Sequence, residues 1–202
     1  MKPTEELKKE HRVIEKVIGA LEGMVGRAEI SGKLDKADAE SAIDFIRTFA
    51  DKCHHAKEED RLFPAMEANG FSPEAGPTAM MRHEHEIGRA HVRAMDGAVK
   101  GASEGVIKDL KLFVQGALGY GSLLRNHIQK EDNMLYPMAE EALSASDMKK
   151  LEAEFEKVEG AMGVGVHHKY HALAENLAEK YAVKKKSHAL FHEGCAVCGE
   201  GG

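Results

Sequence analysis

The 202-residue chain has no tryptophan, and aromatic residues make up only 5% of it. So few large rings argue against a β-sandwich core and for a helical one packed with aliphatic residues and ten methionines. Its three cysteines are too few and odd in number for a disulfide framework, which leaves reduced thiols or metal ligation. Positive charge is also short: 28 Lys and Arg face 34 Asp and Glu, for a net charge of −6. Neutralising nucleic-acid phosphates takes clustered Lys and Arg, so a nucleic-acid partner is not expected. The single basic run, Lys184 to Lys186, reads as a solvated helix end. No stretch approaches the ~18 apolar residues of a membrane span. The opening MKPTEELKKE has no apolar signal core. A soluble, cytoplasmic protein with no membrane partner is expected.

What the chain does have is a phrase used twice. Residues 54–64 read HHAKEEDRLFP and residues 127–137 read HIQKEDNMLYP. Aligned on Pro64 and Pro137, His54 matches His127, Lys57 matches Lys130, Glu58 matches Glu131, and Phe63 matches Tyr136. In each copy a histidine precedes a glutamate by four residues, so the two side chains share one helical face. An imidazole and a carboxylate stacked in this way on two helices could hold a pair of metal ions between them.

Apolar periodicity predicts four long helices over residues 1–143. The first, with Thr4 as expected N-cap, carries Leu7, Ile14, Ile18, Leu21 and Val25, and breaks at Ser31-Gly32. The second starts near Asp35 and follows Ile43, Ile46 and Ala50 toward Pro64. The third carries Met81, Val92, Met95 and Val99, and the fourth Val106, Leu110, Phe113, Ala117, Tyr120 and Leu124. Short connections favour antiparallel neighbours, giving an all-α, up-down four-helix bundle. Residues 144–202 are expected to form a helical appendage, with helices near 146–158 and 167–183, followed by a Cys/His tail.

Ligand-type residues fall on the inward seams. His11 lies between Leu7 and Ile14, and His85 between Met81 and Val92. His54 and Glu58 extend the stripe of Ile43, Ile46 and Ala50, and His127 and Glu131 that of Leu124. A lone histidine on such a face is more often a satisfied core residue. Two buried carboxylates are different, since each costs several kcal/mol unless paired or metal-bound. In an antiparallel bundle all six groups reach about one level, ~12 Å from one pole by the ~1.5 Å rise per residue. His55 and Glu59 form a rival pair at the same spacing, but the repeat aligns His54 and Glu58 with the fourth helix. His83 and His91 are off the seam, Arg89 is expected to face carboxylates or a neighbouring helix, and His167, His168 and His171 read as surface residues.

These motifs, EH at 10–11, H-x-x-x-EE-x-x-LFP at 54–64, EHEIGR at 84–89 and H-x-x-x-ED-x-x-LYP at 127–137, resemble the hemerythrin-like, or HHE cation-binding, family. The resemblance covers residues 1–143 and implies a non-haem di-iron centre in a four-helix bundle. It implies His11, His54, Glu58, His85, His127 and Glu131 as ligands, with both glutamates bridging two iron ions beside an oxo or hydroxo bridge. Oxygen carriers of the family have H-x-x-x-H on the third helix, where this chain has Arg89 four residues after His85. Four histidines and two glutamates are closer to the iron–sulfur-cluster repair and iron-sensing members. That set leaves about two open coordination positions, so the reduced centre is expected to bind NO and to consume O₂ by oxidation.

The tail carries a second motif, His188, His192, Cys195 and Cys198 in H-x3-H-x2-C-x2-C. Four such ligands suit one tetrahedral zinc or iron. A dithiol redox pair and an unstructured end remain open beside that reading.

No E-x-x-H pair, H-E-x-x-H motif, P-loop or G-x-S-x-G motif is present. The resemblance implies O₂ or NO as small gaseous partners, in sensing, storage or stress defence. Alternatives are an iron donor or iron–sulfur-cluster repair factor, and a di-iron oxidase or peroxidase.

Overall fold

A computed structural model describes residues 1–182, so the tail motif at His188, His192, Cys195 and Cys198 lies outside the described residues, as does the Lys184 to Lys186 run. The described chain forms six helices: α1 (Pro3–Ser31), α2 (36–68), α3 (Pro77–Glu104), α4 (107–142), α5 (Ala145–Met162) and α6 (Val166–Tyr181). The first four make the expected up-down bundle, with α3 along α4 and α1 along α4; α6 lies across α1 and α2. Among the described residues no helix is long and apolar enough to cross a membrane.

Local chemistry sets the helix ends. The Asp35 side chain caps α2 by accepting from the Asp38 N–H. Gly32 ends α1 in the left-handed conformation, φ 73°, that a glycine adopts without strain. Ser144 and Asp147 close a reciprocal capping box on α5. Thr4 is not a cap. Pro3 already sits in the first turn of α1, and the buried Thr4 hydroxyl donates to Glu140 Oε1 at 2.6 Å, pinning α1 to the end of α4.

Neither α2 nor α4 is a uniform α-helix. The first widens into π-helical turns over Ile46–His55 and Glu58–Leu62, the second over Glu131–Leu135. The Phe63 N–H bonds to the Glu58 carbonyl and the Tyr136 N–H to the Glu131 carbonyl, five residues back. Pro64 and Pro137 follow immediately. A proline has no N–H to donate, and its ring clashes with the carbonyl four residues earlier. A wider turn directly before each one relieves that clash. It also shifts the side-chain register where the ligand-type residues stand.

The apolar core is in two pieces. The larger joins Ile14, Ile18, Phe45, Phe49, Met95 and Phe113 to Tyr170 and Leu177 of α6. The smaller joins Leu7, Leu62, Phe63, Met81, Leu135 and Phe155. His11, His85 and His127 come between them along their helices. The polar level is thus sealed above and below by close-packed hydrocarbon.

Candidate metal centre

The structure brings together all six residues expected from the seams. His11, His54, Glu58, His85, His127 and Glu131 are each no more than 2% exposed. They divide into two overlapping groups that share Glu58. His11, His54, Glu58 and Glu131 form one; His55, Glu58, His85 and His127 form the other. In each group one ligand atom per residue lies within 4.8 Å of all the others. Glu131 also serves the second group, its Oε1 lying 3.0 Å from His127 Nε2.

His55 is the addition. The expected frame chose His54 with Glu58 over His55 with Glu59, but the π-helical stretch turns both histidines inward. His55 is 6% exposed, and its ring stacks on His85 with centroids 3.7 Å apart. Glu59 has a different task, as a partner of His85.

All five histidines set Nδ1 against a carboxylate, and Nε2 of His11, His54, His85 and His127 faces the central glutamates. The Nδ1 partners are Asp132 for His11 (2.8 Å), Glu10 for His54 (2.9 Å) and Asp51 for His55 (3.2 Å). Glu59 holds His85 at 2.5 Å and Glu84 holds His127 at 2.8 Å. A carboxylate on Nδ1 keeps the proton there and leaves the Nε2 lone pair for a metal. The outer partners are themselves tied down. Arg89 bonds both Asp51 and Glu59, as expected from its position. Lys57 and Lys130, equivalent in the repeat, bond Glu10 and Glu84.

The inner atoms are of the kind that a bound cation would satisfy. Glu58 Oε2 and both Glu131 oxygens are fully buried without hydrogen-bond partners. His85 Nε2 and His127 Nε2 face each other at 2.9 Å, and two lone pairs at that separation need a positive charge between them. Without metal, protons fill that role. Burial opposes charge on His127, but Glu131 and Glu84 outweigh it and push it up to about 9. Burial and the Glu131 charge hold Glu58 protonated, well above the usual carboxylate range. Burial also opposes Glu131, yet His127 and His11 keep it ionised. Burial takes His54 down to about 4 against the pull of Glu10. Lone-pair imidazoles with bridging-capable carboxylates suit a first-row metal pair, and these residues fit one.

Tyr136 breaks the symmetry of the repeat. Its hydroxyl donates to Glu58 Oε1 at 2.7 Å, where Phe63, its counterpart, has no such group. The repeat exposed this pair but not its meaning. The glutamates of the two EH dipeptides were likewise visible, and their function as Nδ1 partners was not.

His167 is not a plain surface residue, since its Nε2 reaches Glu10 Oε1 at 3.3 Å. Lys57 Nζ, fully buried, lies 2.6–2.7 Å from Glu6, Glu10 and Glu159. Through these contacts α5 and α6 dock against the outer side of His54. Glu10, Glu159 and His167 also gather ligand-type atoms, but the Lys57 ammonium already bonds both of these carboxylates. His83 is exposed and His91 half-buried, both away from the centre.

An antiparallel helical bundle with a buried level of inward imidazoles and carboxylate oxygens without partners defines a metal-binding four-helix protein. The chain belongs to the hemerythrin HHE cation-binding domain family, whose sequence model matches residues 2–139. It is also 22% identical over 155 residues to the uncharacterized protein Rv1995 of Mycobacterium tuberculosis and to its counterpart Mb2018 of Mycobacterium bovis. Those matches take in 77% of this chain and 60% of each relative, so the chain spans about three fifths of their length. No solved structure matches it.

Proposed function

We propose that the chain holds two iron ions at this level and binds or reacts with a small diatomic ligand, O₂ or NO, in sensing, storage or stress defence. In this reading His11 and His54 would hold one ion and His55, His85 and His127 the other, with Glu58 and Glu131 available to both. The observation that carries it is the pair of fully buried glutamates, three of whose four oxygens have no hydrogen-bond partner, set among five converging imidazoles. Leaving such groups unpaired would cost several kcal/mol. The iron pair supplies redox chemistry and open positions for a ligand. The chain's own residues orient the imidazoles, close the level above and below with apolar side chains, and aim the Tyr136 hydroxyl as a donor at Glu58 Oε1.

His55 changes the coordination count. A fifth imidazole leaves the pair about one open position instead of two, nearer to an oxygen carrier than the four-histidine set implied. Metal analysis should give two irons per chain, and stopped-flow spectroscopy of the reduced protein should show a rapid reaction with NO. A protein that retains no iron after reconstitution would rule the reading out. Loaded protein inert to both gases would remove the ligand-binding role and leave iron supply.

A further inference from the structure

A cavity of about 150 Å³ opens between α2, α3 and α4 and reaches the centre along His55 and His85. One water occupies only ~10–15 Å³ by this kind of measure. The space is therefore ring-sized, far more than a diatomic needs. Ile46, Val92 and Leu124 give it apolar walls, and Gly88 keeps it wide. A Cβ on Gly88 would meet Tyr120 and Leu123 at 3.7–4.0 Å, so a larger side chain there fills space without striking backbone.

Two polar features are left unsatisfied. Tyr120 lines the cavity at 2% exposure, and its hydroxyl has no hydrogen-bond partner. That costs about 1–3 kcal/mol, which a ligand atom would recover. Among the charged residues lining the cavity, one also lacks a partner. Asp51 is taken by Arg89 and His55, Glu84 by His127 and Lys130, and Arg47 by Asp96. Arg93 also lines the cavity, is exposed, and makes no ion pair among the described residues. Arg93 is thus a cation at the mouth that no carboxylate among the described residues has taken.

We infer that this cavity binds a small organic carboxylate. The apolar body of the acid lies against Ile46, Val92 and Leu124, its carboxylate meets Arg93, and the Tyr120 hydroxyl is available to a further polar atom of the ligand. Apolar walls with a few placed polar groups are the usual composition of a small-molecule site. The cavity borders the proposed iron pair, yet none of these contacts requires a metal, so the two readings stand or fall separately.

The test is calorimetric titration of the full chain with benzoate, using benzamide as the uncharged control. Metal content is measured in parallel, and each titration is repeated on metal-free protein. Benzoate should bind once per chain, with or without metal, and benzamide much more weakly. Arg93→Gln, a surface change that leaves folding intact, should weaken benzoate about tenfold, and Gly88→Leu should abolish binding while circular dichroism is unchanged. No benzoate binding at millimolar concentration would overturn the proposal. So would binding that ignores both substitutions, or that vanishes with the metal and ignores Arg93→Gln, since that places the acid on the ions.

Discussion

His55 and Ile128 occupy equivalent places in the two copies of the repeat, and both are buried, at 6% and 1% exposure. One half of the bundle thus presents two adjacent histidines where the other presents a histidine and a hydrocarbon. Part of the outer shell does follow the repeat: His54 and His127 set Nδ1 against Glu10 and Glu84, and Lys57 and Lys130 bond those same glutamates.

His55→Ile copies the other half and removes the fifth imidazole without opening a large void. Metal content should fall toward one ion per chain, or affinity for the second should drop about 10- to 100-fold, the scale seen on perturbing metal-site shells. Any chain that still holds two ions should bind azide more readily. Unchanged metal content and unchanged absorption bands would take His55 out of the ligand set.

Glu58→Gln separates the metal from the fold. In metal-free protein burial keeps Glu58 protonated, and an amide is nearly its isostere. Urea unfolding should then differ from the parent by less than about 1 kcal/mol. Metal loading should largely fail, together with the stability that binding adds. A variant that loads iron normally would show that Glu58 does not bridge.

Lys57 and Lys130 are equivalent by sequence and unequal by surroundings. Lys57→Met takes a fully buried ammonium away from the buried Glu10 and the partly exposed Glu6 and Glu159, and should cost about 3–5 kcal/mol. Lys130 is a third exposed and pairs with Glu84 alone, so Lys130→Met should cost about 1 kcal/mol or less. Hydrogen exchange should show faster opening of α6 in the first variant only. Equal effects would mean that the Lys57 cluster does not anchor α5 and α6.

Asp51 gives a pH signature in metal-free protein. Burial opposes its charge, but His55 and Arg89 outweigh it and lower it to about 2 from an ordinary 3.8. A depressed folded-state value contributes stability that is complete above the unfolded value and is lost as pH falls through the folded one. At neutral pH Asp51→Asn should therefore cost about 2 kcal/mol, and the difference should shrink toward zero near pH 2. A penalty that stays constant between pH 6 and pH 3 and on toward pH 2 would assign the effect to packing instead.

Six of the seven inward groups were legible because they repeat the stripe of Leu7, Ile14, Met81 and Leu124 with polar residues. The four long helices were legible for the same reason. His55 was passed over in favour of His54 because seam reading assumes a constant α-helical turn, and the π-helical stretch Ile46–His55 breaks that assumption. The five Nδ1 carboxylates were hidden because each comes from a different helix than its histidine, apart from Asp51. Only docking reveals such partners. His167 looked like surface because its contact with Glu10 depends on how α6 crosses α1.

The centre draws on all four bundle helices, and that shapes how the chain can assemble. Tyr136 and His11 meet from 125 positions apart, and contacts of such separation form late because long loops must close first. A chain emerging from its N-terminus would present His11, His54, His55 and Glu58 on the α1–α2 hairpin while α4 was still unmade. That is a half-built chelate, open to any divalent ion nearby. Which metal the finished protein contains would then depend partly on what the unfinished one met first, and the arrival of Glu131 would decide whether that ion was kept.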